Sequence, residues 1–237
     1  MIRIEHGLYV YGGFRLAIDL TVPRGSLTAV LGPSGAGKST LLAIIAGFEP
    51  LRQGRVQVAG EDVTELPPAQ RPLTMVFQDN NTFAHLDAWT NVALGVSPAL
   101  KLDDEQRRRV DEALAQVGLS ALAGRKPGEM SGGERQRIAL ARMLVRNRPV
   151  VLLDEPFAAL GPGLRAELLA ELQGMQKERG LTILMVTHQP EDARAVADQV
   201  CFVDGGAARP PMATADFFAA RADAAIAAYL GGWRDGR

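Results

Sequence analysis

Gly32-Pro33-Ser34-Gly35-Ala36-Gly37-Lys38-Ser39, with Thr40 directly after it, decides the reading of this chain. The octapeptide fits G-x-x-x-x-G-K-[ST]. It follows the apolar run Leu27–Leu31 and opens Ser39–Gly47 (STLLAIIAG), a helical pattern that ends in a capping glycine. Strand, glycine-rich loop and helix start form the context in which such a loop holds phosphates. Glycines let backbone N–H groups turn inward around phosphate oxygens. The helix start adds partial positive charge. Lys38 is expected to reach β- and γ-phosphates, and Ser39 to offer its hydroxyl to Mg²⁺. A chance turn rich in small residues would need neither the strand before it nor the helix after it.

Two further runs, Val150–Leu153 and Leu181–Thr187, are apolar on both faces, as strands buried in a parallel sheet are. Helical patterns follow them. Leu164–Lys177 carries Leu168, Leu169 and Leu172 at helical spacing, and Glu191–Val200 is a further candidate. The opening segment, Met1–Leu31, reads as several antiparallel strands, with turn residues at Gly12-Gly13 and Pro23–Gly25. A middle block, about Asp87–Asn147, differs. Asp103–Val117 and Ser131–Arg146 both show amphipathic helical stripes, so the block reads as a helical insertion in an α/β domain. Ala213–Ala228 is alanine-rich and reads as a terminal helix.

Composition narrows the function classes. The chain has 237 residues, 47% of them apolar, with a formal net charge of -1. That allows a sizeable core and gives no basic excess pointing to nucleic acid. The single cysteine, Cys201, lies in the apolar run Gln199–Val203 and reads as a buried structural thiol, which suits a reducing cytosol. Met1–Gly13 shows no secretory pattern. Apolar stretches such as Leu41–Ala46 and Ile183–Val186 fall far short of the ~20 residues that span a bilayer. A soluble protein is expected; were it to act in transport, the pore would belong to another chain.

Other residues fall where chemistry needs them. Val150–Leu153 delivers Asp154 and Glu155 to the carboxyl edge of the sheet, where ligands bind in open α/β folds. Asp154 is placed to hold Mg²⁺ and Glu155 to polarise a water as general base; a plain acidic turn before Pro156 is the competing reading. His188 follows Leu181–Thr187 at the same edge and can donate to a γ-phosphate oxygen, although a lone strand-end histidine is usually structural. Gln78, after Met75–Phe77, is a candidate amide ligand to Mg²⁺ or the attacking water, or a solvated loop residue. Ser131-Gly132-Gly133-Glu134 has the form of a capping box. A cap does not require two glycines, which would let phosphate approach a helix start.

The set as a whole resembles the nucleotide-binding subunit of ABC transporters. The order agrees: phosphate loop Gly32–Ser39, Gln78, signature Met130–Glu134, Val150–Glu155, His188. Tyr11 is similar to the family's adenine-stacking aromatic, with Tyr9 as a rival. The resemblance covers about Ile2–Asp204. It implies an α/β fold of the P-loop NTPase type: a mixed and parallel sheet, an N-terminal antiparallel β subdomain and a helical subdomain at about 87–147, all within one ATP-binding domain over 1–237. It implies ATP and Mg²⁺ as ligands, and a head-to-tail pair of copies in which each ATP lies between one phosphate loop and the other copy's Ser131–Glu134. It also implies transmembrane permease subunits, an indirect link to a periplasmic solute-binding protein, and a peripheral place on the cytoplasmic face of the bacterial inner membrane. Two positions depart from the family. Glu134 stands where Gln is common, and Gly161 where an Asp usually helps connect the two sites.

Arg71–Leu102 further looks like the ATP-binding subunit of bacterial thiamine importers, through Asn80-Asn81 and Ser97–Leu102. Importers of iron(III), a polyamine or another small solute remain alternatives. So does a non-transport ABC ATPase, although the chain has neither a second cassette nor a long coiled-coil insertion. A P-loop kinase or GTPase would leave Ser131–Glu134 and His188 unexplained.

Overall fold

The computed structural model of the chain describes residues 1–77 and 82–231. The strands are β1 (Ile2–Tyr11), β2 (Phe14–Val22), β3 (Leu27–Leu31), β4 (Gln53–Val58), β5 (Glu61–Asp62), β6 (Leu73–Val76), β7 (Val150–Asp154), β8 (Thr182–Val186), β9 (Gln199–Asp204), β10 (Ala207–Ala208) and β11 (Met212–Ala213). The helices are α1 (Lys38–Ala46), α2 (Ala88–Ala93), α3 (Asp104–Gln116), α4 (Gly132–Arg146), α5 (Pro162–Arg179), α6 (Pro190–Val196), α7 (Thr214–Ala219) and α8 (Ala224–Leu230).

Strand order among the described residues is β5-β4-β1-β2-β10-β9-β3-β8-β7-β6. From β9 to β6 every pairing is parallel. The pairings of β1 with β2, β1 with β4 and β4 with β5 are antiparallel. Short β10 joins the two halves, parallel to β2 and antiparallel to β9. Leu27–Leu31, apolar on both faces like Val150–Leu153 and Leu181–Thr187, is buried along its whole length and pairs parallel with β8 and β9, as such a run is expected to; only its inclusion in the antiparallel opening segment Met1–Leu31 is corrected. A strand with no polar face belongs at the centre of a covered sheet.

Alternation along β7 shows how the sheet divides the core. Val151 and Leu153 face the apolar cluster that includes α4 and α5, whereas Val150 and Leu152 face the cluster holding Leu41, Leu42, Ile44 and Ile45 of α1. The middle block forms three helices, α2, α3 and α4, which pack on one another. Asp103 caps α3 in a reciprocal box with Gln106, and Ser131 caps α4 with Glu134.

Two helical expectations are corrected. Glu191–Val200 stops at Val196, and Gln199 already belongs to β9. Ladder bonds to β3 and the Asp198 carboxylate, which accepts from Leu27 N at 2.8 Å, pull this stretch into the sheet. The alanine-rich tail is two short helices, because Asp223 caps α8 through Ala225 N and Ile226 N and is also held 2.6 Å from Arg209. Cys201 is fully buried, which pushes its thiol up to about 12.

Candidate nucleotide site

Because β3, β7 and β8 run parallel, the residues after them share one sheet edge. A cavity of about 390 Å³ opens there, lined by residues that include Ser34, Gly35, Lys38, Thr40, Glu155 and His188. Gly32 and Gly37 hold positive φ, +151° and +103°. A Cβ on Gly32 would lie 2.0 Å from the Val203 carbonyl oxygen, and one on Gly37 would lie 2.7 Å from the Phe14 ring. Both positions thus demand glycine twice, by conformation and by space. Ala36 packs against the core under the loop, and its N–H bonds to Pro33 O at 3.3 Å.

Lys38 is buried and donates from Nζ to Gly32 O at 2.9 Å and Pro33 O at 2.8 Å. Burial pushes its pKa below the usual lysine value, opposed by the charges of Glu155 and Asp154. The ammonium is thus curled under its own loop. Ser39 Oγ donates to Asp154 Oδ1 at 3.1 Å across 115 residues of sequence. Burial raises the Asp154 pKa despite that bond.

Glu155 has φ +49°, a left-handed conformation that costs a non-glycine residue roughly 1–2 kcal/mol. Its N–H donates to Val186 O at 3.0 Å, and its Oε1 lies 2.6 Å from His188 Nε2. This kink turns the carboxylate off the strand line toward the cavity. The His188 turn is fixed from below: Thr187 Oγ1 donates to buried Asp192 at 2.8 Å and accepts from Gln189 N at 3.1 Å. Sequence reasoning missed Thr187, Asp192 and Phe14; an aromatic directly after the Gly12-Gly13 turn was the available signal for Phe14.

Tyr9 is buried, and its hydroxyl donates to Glu49 at 2.9 Å. Tyr11, by contrast, is 74% exposed, at the end of β1 beside that turn. Ser131–Glu134 lies elsewhere. Glu134 N donates to Ser131 Oγ at 3.3 Å, and Ser131 N donates to Glu134 Oε2 at 2.7 Å, which holds the Glu134 carboxyl below its usual range. Ser131 and Gly132 are exposed, whereas a Cβ on Gly133 would meet Leu164 Cδ2 at 2.6 Å. None of these four residues lines the phosphate-loop cavity. Gln78 lies outside the described residues.

A sequence model of the ABC transporter family matches residues 16–158. The chain belongs to the ABC transporter family. A relative named thiamine import ATP-binding protein ThiQ, from Mesorhizobium japonicum, is 50% identical over 97% of this chain and 91% of its own length. An ATP-binding cassette of an ABC transporter in its ADP conformation superposes with a TM-score of 0.88 at 25% identity, over 98% of both chains. A dimeric cassette in a post-hydrolysis state, bound to ADP and Pi, superposes at 0.76 with 28% identity, over 90% of this chain and 99% of that one. Against these ABC cassettes the α/β core with an antiparallel β flank and a helical block is the shared fold, and the chain is an ATPase of that family.

Proposed function

We propose that this chain is the ATP-hydrolysing subunit of a bacterial thiamine importer, formed as one ATP-binding domain over 1–237. The observation that carries the ATPase is the single edge on which Lys38, Ser39, Asp154, Glu155 and His188 converge. The relative named for thiamine import, similar over nearly the whole chain, supports the solute. Thiamine uptake should fall to background in cells whose chromosomal copy is deleted and return with the gene. Uptake that persists at full rate would assign the chain to another solute.

In this reading the backbone N–H groups of Gly32–Ser39 and Lys38 hold the triphosphate, Thr40 lines the same cavity, and Tyr11 stacks on adenine. Ser39 Oγ and Asp154 Oδ1, hard oxygen donors already 3.1 Å apart, fit Mg²⁺, with Gln78 as a further oxygen ligand. Bound there, the ion neutralises charge on the β- and γ-phosphates. Glu155 takes the proton of the attacking water, and His188 orients Glu155 and donates toward the γ-phosphate. Gly132, Gly133 and the Ser131–Glu134 helix start complete the partner's site in a head-to-tail dimer; the dimeric cassette supports this pairing.

No helix among the described residues is long and apolar enough to cross a membrane. The importer reading, supported by the relative named for thiamine import, carries with it separate permease chains, a place for this subunit on the cytoplasmic face of the inner membrane, and an indirect link to a periplasmic solute-binding protein. The proposed docking surface is the segment after Gln78, about Asp79–Asn91, whose first residues lie outside the described set. Phe83 is 46% exposed beside a cavity of about 300 Å³ that includes Phe77, Arg142 and Met143. Asn91 bonds both the N–H and the carbonyl of Phe83, so the ring is presented on a fixed backbone. Phe83→Ala should reduce transport at least about tenfold, the cost of truncating an interface anchor, with basal ATPase within about twofold. Equal transport would place the dock elsewhere.

Gly161 offers a second test. It is extended, φ -65° and ψ 158°, with open space where a Cβ would stand, and it starts α5 without a side-chain cap. Asp fits there without strain. Gly161→Asp should raise the melting temperature by about 1 °C through capping, worth a few tenths of a kcal/mol. In the assembled transporter the ATP-dependence curve should steepen or rise by up to about fivefold, one hydrogen bond's worth. An unchanged curve in the folded variant would remove this loop from site-to-site coupling.

A further inference from the structure

A further cavity, of about 360 Å³, lies at the opposite, amino edge of the parallel sheet. Its wall contains Arg71, Arg109, Arg146 and Arg148, with Gln106, and no aspartate or glutamate among the described residues. The arginines come from separate parts of the molecule. Arg71 precedes β6 and Arg148 precedes β7, both in the α/β core; Arg109 is on α3 and Arg146 ends α4, both in the helical block. Arg71 is buried and its guanidinium donates to the carbonyls of Ile44, Ile45, Leu66 and Thr64, so it is already satisfied by the end of α1 and the loop before β6. Arg109 is steadied by a 2.6 Å bond to Val145 O. Arg146 and Arg148 are exposed, and their side chains make no hydrogen bond or ion pair with a described residue.

Charged side chains on a surface are ordinarily interspersed with opposite charge, as Arg137 is here between Glu167 and Glu171. Arg109, Arg146 and Arg148 bring three guanidinium groups to one concavity whose lining, among the described residues, holds no carboxylate, so they repel one another. A multiply charged anion would relieve that repulsion and give Arg146 and Arg148 bidentate acceptors. We propose that this cleft is a second anion site, distinct from the ATP site, for a phosphate- or diphosphate-bearing small molecule. Its ligand bridges the α/β core, through Arg148, and the helical block, through Arg109 and Arg146. An anionic lipid headgroup carries the same chemistry, so the test separates the two sources.

The probe is inorganic pyrophosphate, titrated calorimetrically into the full chain saturated with ADP, so that the phosphate loop is already filled. One further binding event is expected in the unchanged chain. It should weaken at least about tenfold in the Arg146→Gln/Arg148→Gln double variant and survive within a few-fold in Arg146→Lys/Arg148→Lys, which keeps the charge. Both residues are exposed, so melting temperature should stay within about 1 °C for surface changes of this kind. Rising salt should weaken the event, as for any site built on charge. Equal binding in the double Gln variant, or no event in the unchanged chain, overturns the proposal. So does sedimentation with phosphatidylglycerol vesicles that depends on these arginines while pyrophosphate fails to bind, because that result assigns the cleft to a lipid surface.

Discussion

Glu155→Gln should bind ATP as tightly as the unchanged chain and hydrolyse it roughly 10²–10⁴-fold more slowly, the usual worth of a positioned general base. Gln keeps the size of Glu and can still bond His188 Nε2, now 2.6 Å from Oε1. The backbone should hold, since the +49° φ is locked by the bond from Glu155 N to Val186 O. Nothing that grips phosphate is lost, because Lys38, Ser39 and the loop are untouched. Removed is only the acceptor for the water proton. An ATP-bound dimer should then accumulate and elute early on size exclusion, while single-turnover phosphate release slows. Phosphate release at the unchanged rate would move the base to another group.

Much of this edge could be read before any coordinates, and for a physical reason. A phosphate loop is local: its glycines, lysine and flanking strand lie within one short stretch, so their geometry follows from neighbours. Asp154, Glu155 and His188 were legible because each ends an apolar run, and parallel runs must deliver their ends to one edge. Tyr9 and Tyr11 were not separable by pattern. Their difference is tertiary, since only the fold brings Glu49 to the Tyr9 hydroxyl. Likewise, helical periodicity over Glu191–Val200 could not foresee that pairing with β3 would claim its last residues. The left-handed Glu155 and the arginine cleft left no local signal at all. The first is held by a bond to Val186 O, and the second is assembled from residues between positions 68 and 148.

Lys38→Ala should weaken ATP binding by about 10–100-fold, the value of hydrogen bonds to a charged group. The Lys38 ammonium donates to two neutral carbonyls, Gly32 O and Pro33 O, in a buried place that lowers its pKa. The sign of that shift matters. A lysine whose folded-state pKa lies below its unfolded value favours folding in its neutral form. It therefore costs stability below the folded pKa, and the cost fades as pH rises through that value. If Lys38 binds phosphate as proposed, stronger anionic acceptors would replace the two carbonyls and offset this cost. Removing it relieves the buried charge but strands the two carbonyl oxygens, so the melting temperature without nucleotide should change little. With ATP the two proteins should part. At a concentration one hundred times the unchanged dissociation constant, ligand binding stabilises by about 2.7 kcal/mol, and a hundredfold loss of affinity removes most of that. Thermal melts with and without ATP, for both proteins, read this directly. An ATP-induced shift as large in Lys38→Ala as in the unchanged chain would mean that the backbone N–H groups of the loop, not Lys38, carry the affinity for the triphosphate.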